Sequence, residues 1–309
     1  NGVRLPFYRA PPLEYNPTHI VTSDDGLLNL IQDLQDKNVL RKLHPSEWAT
    51  RGFYSRVFSV PKPGRTERRF IIDLRQLNSF LRVPHFKMES LQDSLTLIEK
   101  GDHLTSVDIT DAFYHLPVHP QSRCYLRFAV TCVAPKTLSV FEFNCLPMGL
   151  ALSPSLYTKV MKVPVTTLRK SGVRLAMYMD DLLIVSKTQE SSSRDTTQVI
   201  RLLQVAGFTI NTNKSELTPT TQMNFLGFTI NTITMTVTVP KKKVDGCLTS
   251  ISQIRSSLSQ GSLTARKLAS CIGRISALHP AIPDTRLHLV HLHQEKRRIV
   301  FIDVGDGTG

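Results

Sequence analysis

Two adjacent carboxylates, Asp180 and Asp181, sit between two apolar runs, Leu175–Tyr178 and Leu182–Ser186. Both runs have the length of strands, so Met179-Asp180-Asp181 reads as a tight turn joining them. Ionised acids this close repel, and each raises the other's pKa unless a cation neutralises them. Val107-Asp108-Ile109 places a further acid in or beside another apolar strand, Thr105–Ile109. Two divalent ions roughly 3.5–4 Å apart are the usual remedy, and they serve phosphoryl transfer. One ion lowers the pKa of an attacking hydroxyl, and the other steadies the leaving pyrophosphate. Hard, octahedral Mg²⁺ favours carboxylate and carbonyl oxygens over His or Cys. Asp-Asp alone is also an ordinary turn dipeptide. The apolar strands on both sides argue against that, since an unneutralised acid pair there is costly.

The rest of the chain can house such a site. Its 309 residues are 41% hydrophobic and 20% charged, which excludes disorder over the whole length and suits one large fold or two to three subdomains. No apolar run approaches the ~18 residues of a membrane helix, and no signal peptide opens the chain. The expectation is a nuclear or cytoplasmic protein, neither secreted nor membrane-bound. Five scattered cysteines fit reduced thiols better than a disulfide framework or a C-x-x-C metal site. Thirty-eight Lys and Arg against 25 Asp and Glu leave a net charge of +13, which favours a polyanionic partner. The chain opens on Asn1 rather than Met, as expected of a piece of a longer polyprotein.

Pro6, Pro11, Pro12 and Pro17 make residues 1–23 an irregular arm. Leu27, Leu28, Ile31, Leu34 and Leu40 recur at helical steps from Asp24 onward. Phe53–Val60 and a strand starting at Arg69 flank the turn Pro61-Lys62-Pro63-Gly64, so they read as a hairpin. Residues 89–100 read as helix, and Leu126–Val130 with Leu138–Phe143 as another hairpin. A helix is expected after Ser153-Pro154, with Ser as cap and Pro in the first turn. A second is expected over 195–206, ended by Gly207 and preceded by a loop at Ser191-Ser192-Ser193. Short strands fill 208–239. After Pro240, Val244, Leu248, Ile251, Ile254 and Leu258, then Leu268, Ile272, Ile275 and Leu278, mark a helical subdomain on an α+β body.

Six segments resemble, in order, the motifs of reverse transcriptases. They are Arg69-x-x-x-Asp73-x-Arg75-x-Leu77-Asn78; Asp108-Ile109-Thr110-Asp111-Ala112-Phe113; Leu146-Pro147-x-Gly149-x-x-x-Ser153-Pro154; Tyr178-Met179-Asp180-Asp181; Gly207-Phe208-x-Ile210-Asn211-x-x-Lys214-Ser215; and Asn224-Phe225-Leu226-Gly227-Phe228. The resemblance extends over roughly residues 25–300. Gly52-Phe53-Tyr54-Ser55, Phe86-Lys87-Met88-Glu89 and Tyr125-Leu126-Arg127-Phe128 look most like retrotransposon enzymes of the DIRS class, close to gypsy-like and retroviral ones.

That resemblance implies a right-hand polymerase. Its parts would be an arm (1–23), fingers (24–83 and 116–152), palm (84–115 and 153–239), helical thumb (240–300), and a tail or truncated following domain (301–309). It implies Asp108, Asp180 and Asp181 as catalytic acids binding two Mg²⁺ ions, with Mn²⁺ as a substitute, and the Ile109 carbonyl as a further ligand. Lys214 would protonate the departing pyrophosphate, with an exposed loop lysine as the alternative. Lys62 and Arg69 would hold the triphosphate, joined at the dNTP by Asp73, Asp111, Ala112, Phe113, Met148 and Gly149. Phe113 would reject a 2′-hydroxyl by clash. Met148 stands where retroviral enzymes commonly carry Gln, which removes a polar contact. Template and primer would meet Arg75, Asn78, Pro154, Tyr178, Met179, Phe225, Leu226 and Gly227, and the run Lys241-Lys242-Lys243 unless that run is a solvated helix start.

The implied function is DNA synthesis from dNTPs on an RNA or DNA template. A catalytically silent nucleic-acid binder derived from such an enzyme is the alternative, disfavoured because a binder gains nothing from acids facing phosphates. An RNA-dependent RNA polymerase is opposed by Phe113 and by Met179 before the acid pair. His288-x-x-His291-x-His293 hints at a metal, but no Cys or acid completes the set. Ile299–Asp303 reads as a disordered tail in preference to the first strand of a ribonuclease H domain cut short.

Overall fold

The computed structural model describes residues 2–305 except Ala49, Lys62, Pro63, Arg65, Thr66, 132–136 and Pro283. In chain order the first elements are β1 (Ile20–Thr22), α1 (Asp25–Asp36), β2 (Leu40–Lys42), β3 (Val57–Pro61), β4 (Arg68–Ile72), α2 (Arg75–Asn78) and α3 (Leu91–Leu95). They are followed by β5 (His103–Asp108), α4 (Pro120–Arg123), β6 (Arg127–Thr131), β7 (Leu138–Phe143), α5 (Ser153–Lys170), β8 (Arg174–Tyr178), β9 (Asp181–Ser186) and α6 (Gln189–Val205). The last are β10 (Glu216–Thr220), β11 (Gln222–Phe225), β12 (Phe228–Asn231), β13 (Thr236–Thr238), α7 (Lys241–Ser259), α8 (Ala265–Ser276), α9 (Thr285–His288) and α10 (Val290–Gly305). None of the described helices is long and apolar enough to cross a membrane.

The chain divides into two compact units. The first comprises Asn1–Met88, Ile109–Thr167 and Arg201–Asn211. Its main sheet has the order β1-β6-β7-β2, with β1 parallel to β6 and the other pairs antiparallel. The expected hairpin β3–β4 stands as a two-stranded sheet. Helix α1 starts where Asp24 accepts the Leu27 N–H at 2.7 Å, and it buries Leu27, Ile31 and Leu34. Leu40, which continues that spacing, instead lies in β2, because the chain reverses at Asn38 with φ 56°. The N-terminal arm is irregular only up to Ile20, because Ile20–Thr22 forms β1 against β6, and it is not loose. Glu14 and Gly52 exchange backbone hydrogen bonds, the Val3 N–H donates to Pro117, and Leu5 is buried.

The second unit comprises Glu89–Asp108, Leu168–Ile200 and Thr212–Gly309. Its central sheet, β10-β5-β9-β8, is antiparallel throughout. Strands β11, β12 and β13 form a separate meander. Leu104, Ala176, Leu183 and Val185 of the central sheet pack with Met223, Phe225, Phe228 and Ile230 of the meander and with Leu91 and Ile98 in one apolar cluster. Thr105 of β5 meets Thr196 of α6 at 2.5 Å between hydroxyls. A separate small core of Leu268, Ile272 and Leu289 holds the C-terminal helices together.

Further local expectations fail, among them the helix over 89–100, which is limited to Leu91–Leu95. Ser191-Ser192-Ser193 is not a loop but the first turn of α6. Thr188 and Ser191 cap each other, hydroxyl to backbone N–H, at 3.0 and 3.1 Å, which starts the helix six residues earlier than its apolar spacing suggests. Ile299–Asp303, expected as a tail in preference to a strand, lies in helix α10. Its run of apolar residues carries no period that separates strand from helix.

Candidate active site

The register of the central sheet gathers the acids. Asp108 ends β5 and Asp181 begins β9, and the two are direct partners across the sheet. On its other side Asp181 pairs with Tyr178, the end of β8. Met179 and Asp180 are therefore the whole loop between β8 and β9. Met179 adopts φ 54°, a conformation that costs a non-glycine residue on the order of 1–3 kcal/mol. The strands on both sides hold the turn in this shape, with Leu182, Leu183 and Ile184 fully buried.

Residues directly opposite in an antiparallel pair project to the same face, and like charges there are destabilising. Asp108 is 8% exposed. Burial, then the charges of Asp180 and Asp108, push the Asp181 carboxyl up to about 6, with Lys214 pulling the other way. Lys214 places its ammonium 3.7 Å from an Asp108 oxygen. Its side chain is 61% exposed, so the contact is a solvent-screened ion pair rather than a buried one. The neighbouring Ser215 hydroxyl accepts the Asp108 backbone N–H at 3.0 Å. Ser215 ends the segment Gly207–Ser215, and nothing in its sequence context signals this bond.

The donor set is all oxygen, which suits a hard divalent cation. The Asp181 carboxyl is raised first by burial and then by the charges of Asp180 and Asp108, both of which a bound cation would offset. Among the described residues, no group of three or more His, Cys, Asp or Glu side chains is arranged to hold a metal ion. The acids thus share one end of one sheet without converging into a finished cage. The same statement covers His288, which ends α9, and His291 and His293 of α10.

Also in this unit, the turn between β11 and β12 carries Phe225, Leu226 and Gly227. Leu226 has φ 48° and Gly227 φ 75°. A Cβ on Gly227 would lie 2.6 Å from the Lys243 ammonium. That ammonium sits 4.2 Å over the Phe228 ring and 3.5 Å from the Leu226 carbonyl oxygen. Lys241 and Lys242 are exposed. The lysine run therefore splits, with two residues facing solvent and Lys243 packed on the turn. Arg169 and Glu89, which no motif singles out for a role, hold the outer edge of β8.

In the first unit, Arg69 is exposed on β4, while Lys62 lies outside the described residues. The Arg75 guanidinium beside Asp73, at 2.6 Å, holds that carboxyl down to about 2. Asn78 is a structural tie: its side chain donates to the Gly149 carbonyl and accepts the Ala151 N–H, both at 2.9 Å. Gly149 has φ 93°, which a side chain would strain, and Met148 beside it is 41% exposed. Ile109 and Ala112 are buried, and Pro154 is half-buried in the first turn of α5. Asp111 has φ 49° and meets Lys37 at 3.5 Å, a partner with no sequence signal. Phe113 is half-buried and stands edge-on to Tyr157, with ring centroids 5.7 Å apart at 78°.

Residues 60–230 match the family described as reverse transcriptase (RNA-dependent DNA polymerase). The Gag-Pol polyprotein of Walleye dermal sarcoma virus is 26% identical over 300 residues, 96% of this chain and 15% of that polyprotein. Protein P of Duck hepatitis B virus (strain China) is 29% identical over 66% of this chain and 26% of that protein. The Gag-Pro-Pol polyprotein of Human T-cell leukemia virus 2 is 29% identical over 77% of this chain and 15% of its own length. The chain thus spans about a quarter or less of these relatives. A foamy viral protease-reverse transcriptase solved with double-stranded DNA superposes with a TM-score of 0.69 at 18% identity, covering 94% of this chain and 48% of that one. The same type of protein solved with RNA/DNA hybrid gives 0.62 at 18% identity, over 90% and 33%. These likenesses give the fold, a right-hand polymerase.

Proposed function

This chain belongs to the reverse transcriptase family, and from that premise we propose that it synthesises DNA from dNTPs on an RNA or DNA template. The observation that carries the reading is the pairing of Asp108 with Asp181 next to the Asp180 turn, in the family's own motif order. The family generally uses divalent metal ions. Asp108, Asp180 and Asp181, with the Ile109 carbonyl, would hold two Mg²⁺, which Mn²⁺ could replace. Bound there, they supply hydroxyl activation and charge neutralisation of the phosphates.

The protein's own residues then do positioning work. Asp180 and Asp181 are held by a two-residue loop between buried strands. Lys214, whose ammonium lies 3.7 Å from an Asp108 oxygen, is assigned as the proton donor to leaving pyrophosphate. Lys62 and Arg69 are assigned to the triphosphate, with Asp73, Asp111, Ala112, Met148 and Gly149 around the nucleotide and Phe113 against its sugar. Arg75, Pro154, Tyr178, Met179, Phe225, Leu226, Gly227, Lys241 and Lys242 are assigned to template and primer. Asn78 and Lys243 act there through the loops they hold. The fingers, palm and thumb of this reading keep the boundaries 24–83 with 116–152, 84–115 with 153–239, and 240–300.

Primer extension on an RNA template with dNTPs, with and without Mg²⁺, tests the proposal. Metal-dependent extension is expected. Tight template–primer binding without extension in either condition would instead make the chain a silent binder.

A further inference from the structure

Strand β8 is the outer strand of the central sheet, so half of its backbone groups have no ladder partner. The register decides which half. Tyr178 and Asp181 close the two-residue loop, and Ala176 pairs with Leu183, so the groups of Leu175 and Met177 point away from β9. Unpaired polar backbone at a partly buried edge is costly.

Two side chains meet one group of each residue, the Leu175 carbonyl and the Met177 N–H. The Arg169 guanidinium donates from Nε and Nη2 to the Leu175 carbonyl at 3.0 and 2.8 Å. Glu89 accepts the Met177 N–H on Oε2 at 2.8 Å. The same guanidinium donates to both Glu89 oxygens, at 2.6 and 2.9 Å. Arg169 comes from the last turn of α5, and Glu89 directly precedes Ser90, the cap of α3. Together they take the place of a missing strand, at the residues that lead into Met179 and Asp180.

We infer that Glu89 and Arg169 are positioning residues for polymerisation: their clamp on Leu175 and Met177 fixes where β8 delivers Asp180 relative to Asp181 of β9. Tyr178, the last residue of β8, leads straight into the strained Met179 turn, so slack in β8 passes to the Asp180 carboxylate. Neither residue touches the acids, so the effect is geometric. The inference rests on the polymerase reading of Asp180 and Asp181.

The test compares Glu89→Ala, Glu89→Gln and, as a matched destabilised control, Ile98→Val from the neighbouring core. Two readouts are taken, namely amide exchange at Met177 by NMR and the separate values of kcat, dNTP KM and template–primer Kd. For Glu89→Ala, Met177 exchange should rise about tenfold and kcat fall about 10–100-fold, the scale of a misplacement near 1 Å, with KM and Kd within about twofold. Glu89→Gln keeps an acceptor oxygen for the Met177 N–H and should retain both properties within about threefold.

Unchanged Met177 exchange in Glu89→Ala would overturn the clamp. Faster exchange with unchanged kcat would overturn the positioning role. Equal damage from Gln and Ala would reduce Glu89 to an ion-pair partner, and equal loss of kcat in Ile98→Val would reduce the effect to stability. If the wild type extends no primer, the polymerase reading fails by itself, while Met177 exchange still reports on the clamp.

Discussion

Asp108 and Asp181 are register partners on neighbouring strands, so two carboxylates share one face of the sheet at its end. Such an arrangement is unfavourable unless a positive charge offsets it, and the proposed function supplies one as a bound cation. Asp180→Asn or Asp108→Asn should therefore abolish extension while template–primer affinity stays nearly intact. Each 1.36 kcal/mol lost from transition-state stabilisation is about tenfold in rate. More than about a tenth of wild-type extension in either variant would remove these acids from the catalytic assignment.

The same crowding gives a pH dependence in metal-free buffer. The Asp181 carboxyl, ordinarily near 3.8, is pushed up to about 6 by burial and by Asp180 and Asp108. Between these values the folded chain keeps a proton that the unfolded chain has lost, so stability falls as pH rises from about 4 to about 6 and stays reduced above. Solvent screening of a half-buried group leaves on the order of 1 kcal/mol, or about 2–4 °C in Tm. Asp181→Asn should remove this loss, so the Tm difference between variant and wild type should widen from pH 4 to pH 7. Millimolar Mg²⁺ should raise the wild-type Tm more at pH 7 than at pH 5, because the ion needs the ionised acid. Parallel Tm curves for the two proteins would show that neither burial nor the neighbouring acids raise the Asp181 carboxyl.

The separation of Lys243 from Lys241 and Lys242 gives a third prediction. Neutralising Lys241 and Lys242 together should flatten the salt dependence of template–primer binding, because each phosphate contact contributes about one unit of slope. Lys243→Met should leave that slope alone and instead weaken extension, by releasing the Leu226–Gly227 turn it packs on. A slope that falls equally in Lys243→Met would return Lys243 to the phosphate-tracking group.

What was legible in the sequence follows how local each determinant is. The β8–β9 hairpin announces itself because its apolar strands and its acidic turn are contiguous. The pairing of Asp108 with Asp181 spans more than seventy residues and is reached only through the motif order, since no spacing encodes a register. Asn78 was legible as a motif residue but not as the tie that holds Gly149 and Ala151, because its partners lie far along the chain. Glu89 and Arg169 were silent for another reason. They answer backbone groups of an edge strand, and backbone groups leave no trace in side-chain pattern. Three identical lysines in sequence do not show which of them packs, and it is the first turn of α7 that turns Lys243 toward Phe228.

The last prediction concerns the sugar. Phe113 stands edge-on to Tyr157, which is fully buried and itself edge-on to Phe208 with centroids 6.2 Å apart. A ring backed by a fixed second ring cannot retreat, so a group pressed against its open side meets a hard wall. If the ribose lies there, Phe113→Val should admit rNTPs, while Phe113→Tyr keeps the plane and the discrimination. Removing the ring also removes support for the sugar, so dNTP efficiency should fall at the same time. The quantity to measure is the ratio of kcat/KM for dNTP and rNTP, since a general loss of activity leaves a ratio unmoved. A wild type that uses both sugars equally, or a ratio untouched in Phe113→Val, would leave Phe113 as packing for Tyr157. RNA synthesis would then regain its place as the competing activity.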